Sequence, residues 1–141
     1  MLAGWIYRHD SFYVDRETGQ LLPKFLVALA HTPGGDVVAR LLTSRANGRP
    51  EKPPCYHGDP YPGFYLGVLG GALTTKSWVD LRHLSDFDNA DALILMRKRV
   101  ITEIAAVPVN ALPVLLECVA GANDTTRLQE RAIRDELAGL R

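Results

Sequence analysis

The sequence predicts an α+β domain, mainly β, in which an antiparallel sheet or barrel is followed by two C-terminal helices. Up to residue 107, short apolar runs rich in branched and aromatic side chains are bounded by turn residues, which is typical of buried strands. After residue 107 the apolar residues recur at helical spacing. Strands first and helices last favour helices packed against one side of an antiparallel sheet.

The clearest strand signal is a β-hairpin over residues 24–45. The apolar runs 25–30 and 37–42 are separated by a strong turn, Thr32-Pro33-Gly34-Gly35. Proline presets the backbone angle that the turn needs early on, and glycine tolerates positive φ. We predict that this hairpin lies at the centre of a small, strongly curved sheet.

Other strands are predicted before and after the hairpin. Residues 2–8 fit a first strand, and the polar residues 9–22 fit a mobile loop or a loose hairpin that turns at Thr18-Gly19. Later strands are expected over residues 64–69, 77–81 and 99–107, with the polar stretch 82–92 as a connection.

Residues 45–63 are unusual because they contain five prolines and three glycines. Proline excludes a helix or an interior strand here. A long irregular segment in a compact domain is either functional or a tolerated insertion, so a flap over a site and a plain insertion both stay open.

Two helices are predicted at the C-terminus. Asn110 is the expected cap of a helix over residues 111–120, which Gly121 ends, and Asn123 or Asp124 is the expected cap of a second helix that reaches Leu140. The apolar face of the second helix is predicted to hold Ile133, Leu137 and Leu140, with Leu128 near it.

Size and composition indicate one ordinary globular domain spanning residues 1–141, with 47% hydrophobic and 23% charged residues. The net charge of zero argues against chain-wide attraction to nucleic acid and leaves a local basic patch open. No apolar run approaches the roughly 20 residues of a membrane span, and the N-terminus lacks a signal-peptide pattern. We therefore expect a cytoplasmic protein that does not enter a membrane.

Cys55 and Cys118 lie far apart in sequence, and neither has the spacing of a metal ligand. We expect two free thiols in a reducing compartment.

Candidate functional residues gather at predicted strand ends. Lys24, Thr43, Ser44 and Arg45 flank the hairpin, where a cation and two hydroxyls can bind phosphate, or can simply border the strands. Asp80 and Arg82 form either a salt-bridged strand end or part of the same site.

Three histidines lie near carboxylates and could serve as general bases or metal ligands, although surface histidines are commoner: His9, His57 and His83. The run Arg97-Lys98-Arg99 is either a solvated strand entry or a contact for phosphates.

The order of segments resembles the PemK/MazF-type toxins of toxin–antitoxin systems, which share a small SH3-like barrel with the CcdB toxins. Three segments carry the resemblance: Gly4-Trp5-Ile6-Tyr7, residues 24–29 and Arg40-Leu41-Leu42-Thr43-Ser44. Residues 73–81 are more weakly similar. The resemblance implies one domain with a barrel over residues 1–107 and helices over 110–140.

MazF-like members are metal-independent endoribonucleases that cut single-stranded RNA. The resemblance implies that Lys24 stabilises the phosphorane-like transition state and that Thr43 positions the phosphate, with Ser44 and Asp80 as further catalytic candidates. The family's cation is an arginine in an Arg-Pro pair, whereas this chain has Pro23-Lys24.

Arg45, His57 and Arg82 are the expected substrate-binding residues, and His9, Asp10 and Asp80 are the candidates for the base. No cofactor is implied. The expected partners are single-stranded RNA, an antitoxin protein and a second copy of the chain.

A second reading stays open. The barrel can be non-catalytic and bind a protein, as CcdB-like proteins bind DNA gyrase, or serve only as an interaction domain. This non-catalytic alternative predicts a protein partner and no nuclease activity.

Overall fold

The computed structural model describes residues 1–140 as one seven-stranded antiparallel sheet with three helices. The strands are β1 (Trp5–Val14), β2 (Leu21–His31), β3 (Val37–Thr43), β4 (Cys55–Tyr56), β5 (Gly63–Gly67), β6 (Ser77–Asp80) and β7 (Ile101–Ala106). The helices are α1 (Asn89–Arg97), α2 (Leu112–Ala120) and α3 (Arg127–Gly139). The strand order is β4-β5-β6-β3-β2-β1-β7, so the sheet is open, with β4 and β7 at its edges. The predicted α+β, mainly β class is confirmed, in the form of an open antiparallel sheet. The closed barrel expected over residues 1–107 is not formed, because the edge strands β4 and β7 do not pair with each other.

The β2–β3 hairpin is central, as predicted, and both of its faces are buried. Val27 and Leu29 belong to one apolar core with α2 and α3. Leu26 and Ala28 belong to a second core, on the opposite face, with Ala92 of α1. Because successive strand residues point to opposite faces, burial on both sides explains the uninterrupted apolar run of β2.

The first strand is longer than predicted. β1 continues to Val14, and the chain turns over Asp15–Gln20, where the N–H of Gly19 donates to the carbonyl oxygen of Asp15 at 2.8 Å. Gly19 has φ of 71°, which suits glycine. The hairpin alternative for residues 9–22 is therefore correct, and the mobile loop is wrong.

Helix α1 was not predicted, since residues 82–92 were assigned to a connection. Its sequence signal is the cap residue Asp88, whose carboxylate accepts the N–H of Asp91 at 3.0 Å. α2 and α3 pack against one face of the sheet, as predicted, and α1 packs against the opposite face, so the helices together cover both sides.

The C-terminal helices are confirmed, but their predicted caps are wrong. Ala111 precedes α2 and makes no side-chain cap bond, so Asn110 is not the cap. Thr126 caps α3 in a reciprocal capping box with Gln129, in place of Asn123 or Asp124.

The apolar face of α3 is only partly as predicted. Ile133 and Leu137 are buried, whereas Leu128 and Leu140 are exposed. None of the helices in residues 1–140 is long and apolar enough to cross a lipid bilayer.

The proline-rich segment 45–63 is anchored to the helical layer by a disulfide between Cys55 of β4 and Cys118 of α2. The prediction of two free thiols is therefore wrong. Cysteines separated by 63 positions gave no local sequence signal, because only the packing of α2 beside β4 brings them together.

Candidate functional site: a basic groove

A groove of about 640 Å³ opens where the end of β3 lies beside the first half of β2 and the start of β6. Antiparallel pairing explains this meeting, because the last residue of β3 lies next to the first half of β2. The groove is lined by six of the seven predicted site residues: Lys24, Thr43, Ser44, Arg45, Asp80 and Arg82. The predicted candidates therefore converge on one surface.

The groove is strongly basic although the whole chain is neutral. Four basic side chains line it against one carboxylate, which gives a formal charge of +3. The basic residues are Lys24, Arg45, Arg49 and Arg82. Such a concentration of positive charge in a concave surface attracts phosphates.

Asp80 organises this charge. Its carboxylate accepts two bonds from the Nε of Arg82 at 3.0 and 3.1 Å and one from Nη2 at 2.7 Å, and it also accepts the backbone N–H of Arg82. Burial of Asp80 raises its pKa, but the hydrogen bonds and charge of Arg82, with the charge of Arg49, outweigh it and lower the pKa below its ordinary value. Asp80 is therefore an ionised, ion-paired group that positions arginines, and it is a poor proton acceptor at neutral pH.

Arg49 forms the floor of this part of the groove. Its side chain is 1% exposed, and it donates to the carbonyl oxygens of Pro62 and Arg45 at 3.1 Å each. Its Nη2 lies 3.5 Å from Asp80 Oδ1 without hydrogen-bond geometry, so the two interact by charge alone. The Arg49 side chain packs directly on Gly63, where any Cβ would collide with the Cδ of Arg49.

Two tyrosines lie beside the cations. The Nζ of Lys24 is 5.7 Å from the ring centre of Tyr13, and Tyr61 has the guanidinium carbons of Arg49 and Arg82 at 5.4 and 5.3 Å. These are cation–π distances. Aromatic rings beside phosphate-binding cations are also surfaces on which unstacked bases can stack.

The remaining predicted residues lie outside the groove. His57 contacts the disulfide, and its Nε2 is 2.9 Å from the carbonyl oxygen of Cys118. His9 is the cross-strand partner of Lys24 but is buried, which lowers its pKa and leaves the ring neutral at pH 7. Asp10 pairs with Arg8 at 3.0 Å.

Within residues 1–140, no histidine lines the groove. The chemistry that this surface supports is therefore charge stabilisation by cations and hydroxyls.

The structure adds three residues to the groove that were not predicted as site residues: Arg49, Tyr61 and Tyr13. Arg49 and Tyr61 belong to the proline-rich segment, which therefore flanks the groove. An arginine in an irregular segment looks like any surface cation, and only its burial against Gly63 distinguishes it. The sequence had suggested residues 45–63 as a possible flap over a site, but it did not single out Arg49 or Tyr61.

Comparison with protein-family models, with curated proteins and with solved structures found no match to this chain.

Proposed function

We propose that this protein is a metal-independent endoribonuclease that cuts single-stranded RNA and acts as a toxin-like protein of a toxin–antitoxin system. The observation that carries the proposal is the groove, which combines a formal charge of +3, hydroxyls at the end of β3 and two flanking tyrosines. Phosphate-binding cations beside aromatic rings suit a single strand, whose bases are free to stack.

In the proposed reaction, the ribose 2′-hydroxyl attacks the adjacent phosphorus and gives its proton to water, while the 5′-oxygen leaves and takes a proton from water. The products are a 2′,3′-cyclic phosphate and a 5′-hydroxyl. Lys24 stabilises the additional negative charge on the phosphorane-like transition state, and Thr43 and Ser44 position the phosphate by hydrogen bonds. Arg45 and Arg82 bind neighbouring phosphates. Asp80, first considered as a base, is assigned to holding Arg82 and Arg49 in place.

The proposal includes a cytoplasmic location, because the RNA substrate is there. A disulfide in a cytosolic protein is typically transient or redox-sensing, so this location predicts that the Cys55–Cys118 bond opens in the cell.

The proposal also includes an antitoxin partner and a homodimer, which rest on the resemblance of the sequence. Light scattering coupled to size exclusion tests the dimer, and a monomer at every concentration contradicts it.

The decisive experiment incubates the protein, once with its disulfide intact and once reduced, with a long single-stranded RNA in EDTA. We expect cleavage by the wild-type chain and a loss of about 100-fold or more in Lys24→Ala and in Thr43→Ala, the scale for removing one group that stabilises a transition state. The matched control is Lys98→Ala, because Lys98 is an exposed lysine at the end of α1, outside the groove.

Circular dichroism checks that each variant is folded. Equal activity in Lys24→Ala and Lys98→Ala would refute the assigned site. No cleavage by the wild-type protein would refute the nuclease and favour the non-catalytic alternative, in which the chain binds a protein partner.

A further inference from the structure

Away from the groove, three side chains with metal-binding atoms lie together. The Sγ atoms of Cys55 and Cys118 and a ring nitrogen of His57 all lie within 4.8 Å of one another. The Nε2 of His57 is 3.4 Å from the sulfur of Cys55 and 3.6 Å from that of Cys118. The histidine thus faces both sulfurs of the disulfide.

We propose that reduction of the Cys55–Cys118 disulfide creates a Zn²⁺ site, with Cys55 Sγ, Cys118 Sγ and His57 Nε2 as ligands and water in the fourth position. Two thiolates and an imidazole are a ligand set that zinc prefers. The inference is independent of the proposed ribonuclease activity, because His57 does not line the groove.

The nitrogen–sulfur distances already fit such a site. With Zn–S of about 2.3 Å, Zn–N of about 2.1 Å and tetrahedral angles, each nitrogen–sulfur pair is about 3.6 Å apart and the two sulfurs are about 3.8 Å apart. The observed 3.4 and 3.6 Å match the first value. Reduction has only to let the sulfurs separate.

The backbone places the ligands from two different layers. Cys118 is buried in the last turn of α2, and Cys55 is in β4, which pairs with β5. The imidazole lies against the end of α2, where a Cβ on Gly121 would be 3.5 Å from His57 Cε1. His57 also lines a cavity of about 10 Å³ with Asp59 and Asp124, which has room for about one water molecule.

The chemistry balances with a dithiol reductant. The dithiol gives two electrons and two protons to the protein disulfide and becomes a disulfide itself, which leaves two protein thiols. Zinc then displaces both thiol protons. In the oxidised structure Nε2 is within hydrogen-bond distance of the Cys118 carbonyl oxygen, so metal binding replaces that bond and requires the ring proton to be on Nδ1.

The test titrates Co²⁺, a spectroscopic probe for zinc, into protein reduced anaerobically with a phosphine. The phosphine gives the disulfide two electrons and takes the oxygen atom of a water molecule, whose two protons complete the thiols. We expect one cobalt per chain, with the thiolate-to-metal absorption of a tetrahedral site, and displacement by Zn²⁺. Oxidised protein should give no such spectrum, because its sulfurs carry no thiolate.

His57→Gln tests the third ligand, and His83→Gln is the matched control because His83 is exposed and lies outside the cluster. Loss of the imidazole should weaken cobalt binding by about 10-fold or more. Mutation of a group that only hydrogen-bonds to a metal ligand already costs about 10-fold, so removal of the ligand should cost at least as much. The control should bind like the wild type.

A second readout needs no variant. Zn²⁺ should raise the melting temperature of the reduced chain and leave that of the oxidised chain unchanged, since a ligand stabilises the state that binds it. The absence of the cobalt spectrum in the reduced wild type, equal affinity in His57→Gln and His83→Gln, or equal stabilisation of both redox forms would each overturn the proposal.

Discussion

The substitution Asp80→Asn removes the one carboxylate of the groove and keeps its shape. Asp80 holds two arginines in different environments, since the side chain of Arg82 is 52% exposed and that of Arg49 is 1% exposed. An exposed pair contributes only about 0–1 kcal/mol. Breaking a buried pair by removing one partner costs about 3–5 kcal/mol, because the other charge stays buried. Arg49 keeps two backbone acceptors, so we expect the lower end, about 3 kcal/mol.

Urea unfolding of the oxidised protein at neutral pH measures this loss as a lower midpoint with an unchanged slope. Arg82→Gln is the matched control, because it removes the exposed partner and leaves the buried pair of Arg49 and Asp80. It should cost about 1 kcal/mol or less. If Asp80→Asn cost no more than Arg82→Gln, the reasoning that the buried charge of Arg49 dominates would be refuted.

Comparing the wild type with Asp80→Asn also predicts how the contribution of Asp80 to stability depends on pH. The pKa of Asp80 is lower in the folded chain than its ordinary value of 3.8, so its contribution to stability is fully present above pH 3.8. It is lost as the pH falls through the folded pKa, because the carboxyl is then protonated like a neutral amide. The stability difference between wild type and Asp80→Asn should therefore be constant near neutrality and shrink below pH 3.8. A difference that grows on acidification would contradict this assignment.

Two further predictions concern how the proline-rich segment is held. Gly63→Ala puts a Cβ against the buried side chain of Arg49 and should lower the free energy of unfolding in urea by about 1–3 kcal/mol. The control is Gly34→Ala, which should change stability by less than about 0.5 kcal/mol because the nearest atom to its Cβ is 3.9 Å away. Equal effects of the two substitutions would show that Arg49 can move aside. Reducing the disulfide in metal-free buffer should cost about 4 kcal/mol, the loop-entropy value for a separation of 63 residues, and Cys55→Ser should match the reduced wild type and no longer respond to reductant.

Local sequence patterns determined much of the fold. The turn Thr32-Pro33-Gly34-Gly35 between two apolar runs was enough to predict the central hairpin, because turn chemistry and strand composition are both properties of neighbouring residues. Helical spacing gave α2 and α3 in the same way. The caps and α1 were missed because several nearby residues can serve as a cap, and α1 has only a weakly apolar face.

The predicted site residues came together because antiparallel pairing is itself predictable. Once β2 and β3 form a hairpin, Lys24 and Thr43 must lie near each other at its open end. The roles within the groove depended on the tertiary structure. Burial of Arg49 and the arginine contacts of Asp80 fix the protonation of that carboxylate, and both depend on chain segments far apart in sequence.

The sequence by itself therefore determined the strands other than β4, the two C-terminal helices and the strand-end cluster, since each follows from short-range pattern. β4 lies in the proline-rich segment, where no strand was predicted. Only the tertiary structure decided that the sheet stays open, that a helix covers each face, and that Cys55, His57 and Cys118 meet. The meeting of the two sulfurs depends on elements far apart in the chain, since the two cysteines are 63 positions apart. No local pattern carries that information, because the sulfurs approach only when α2 packs beside β4.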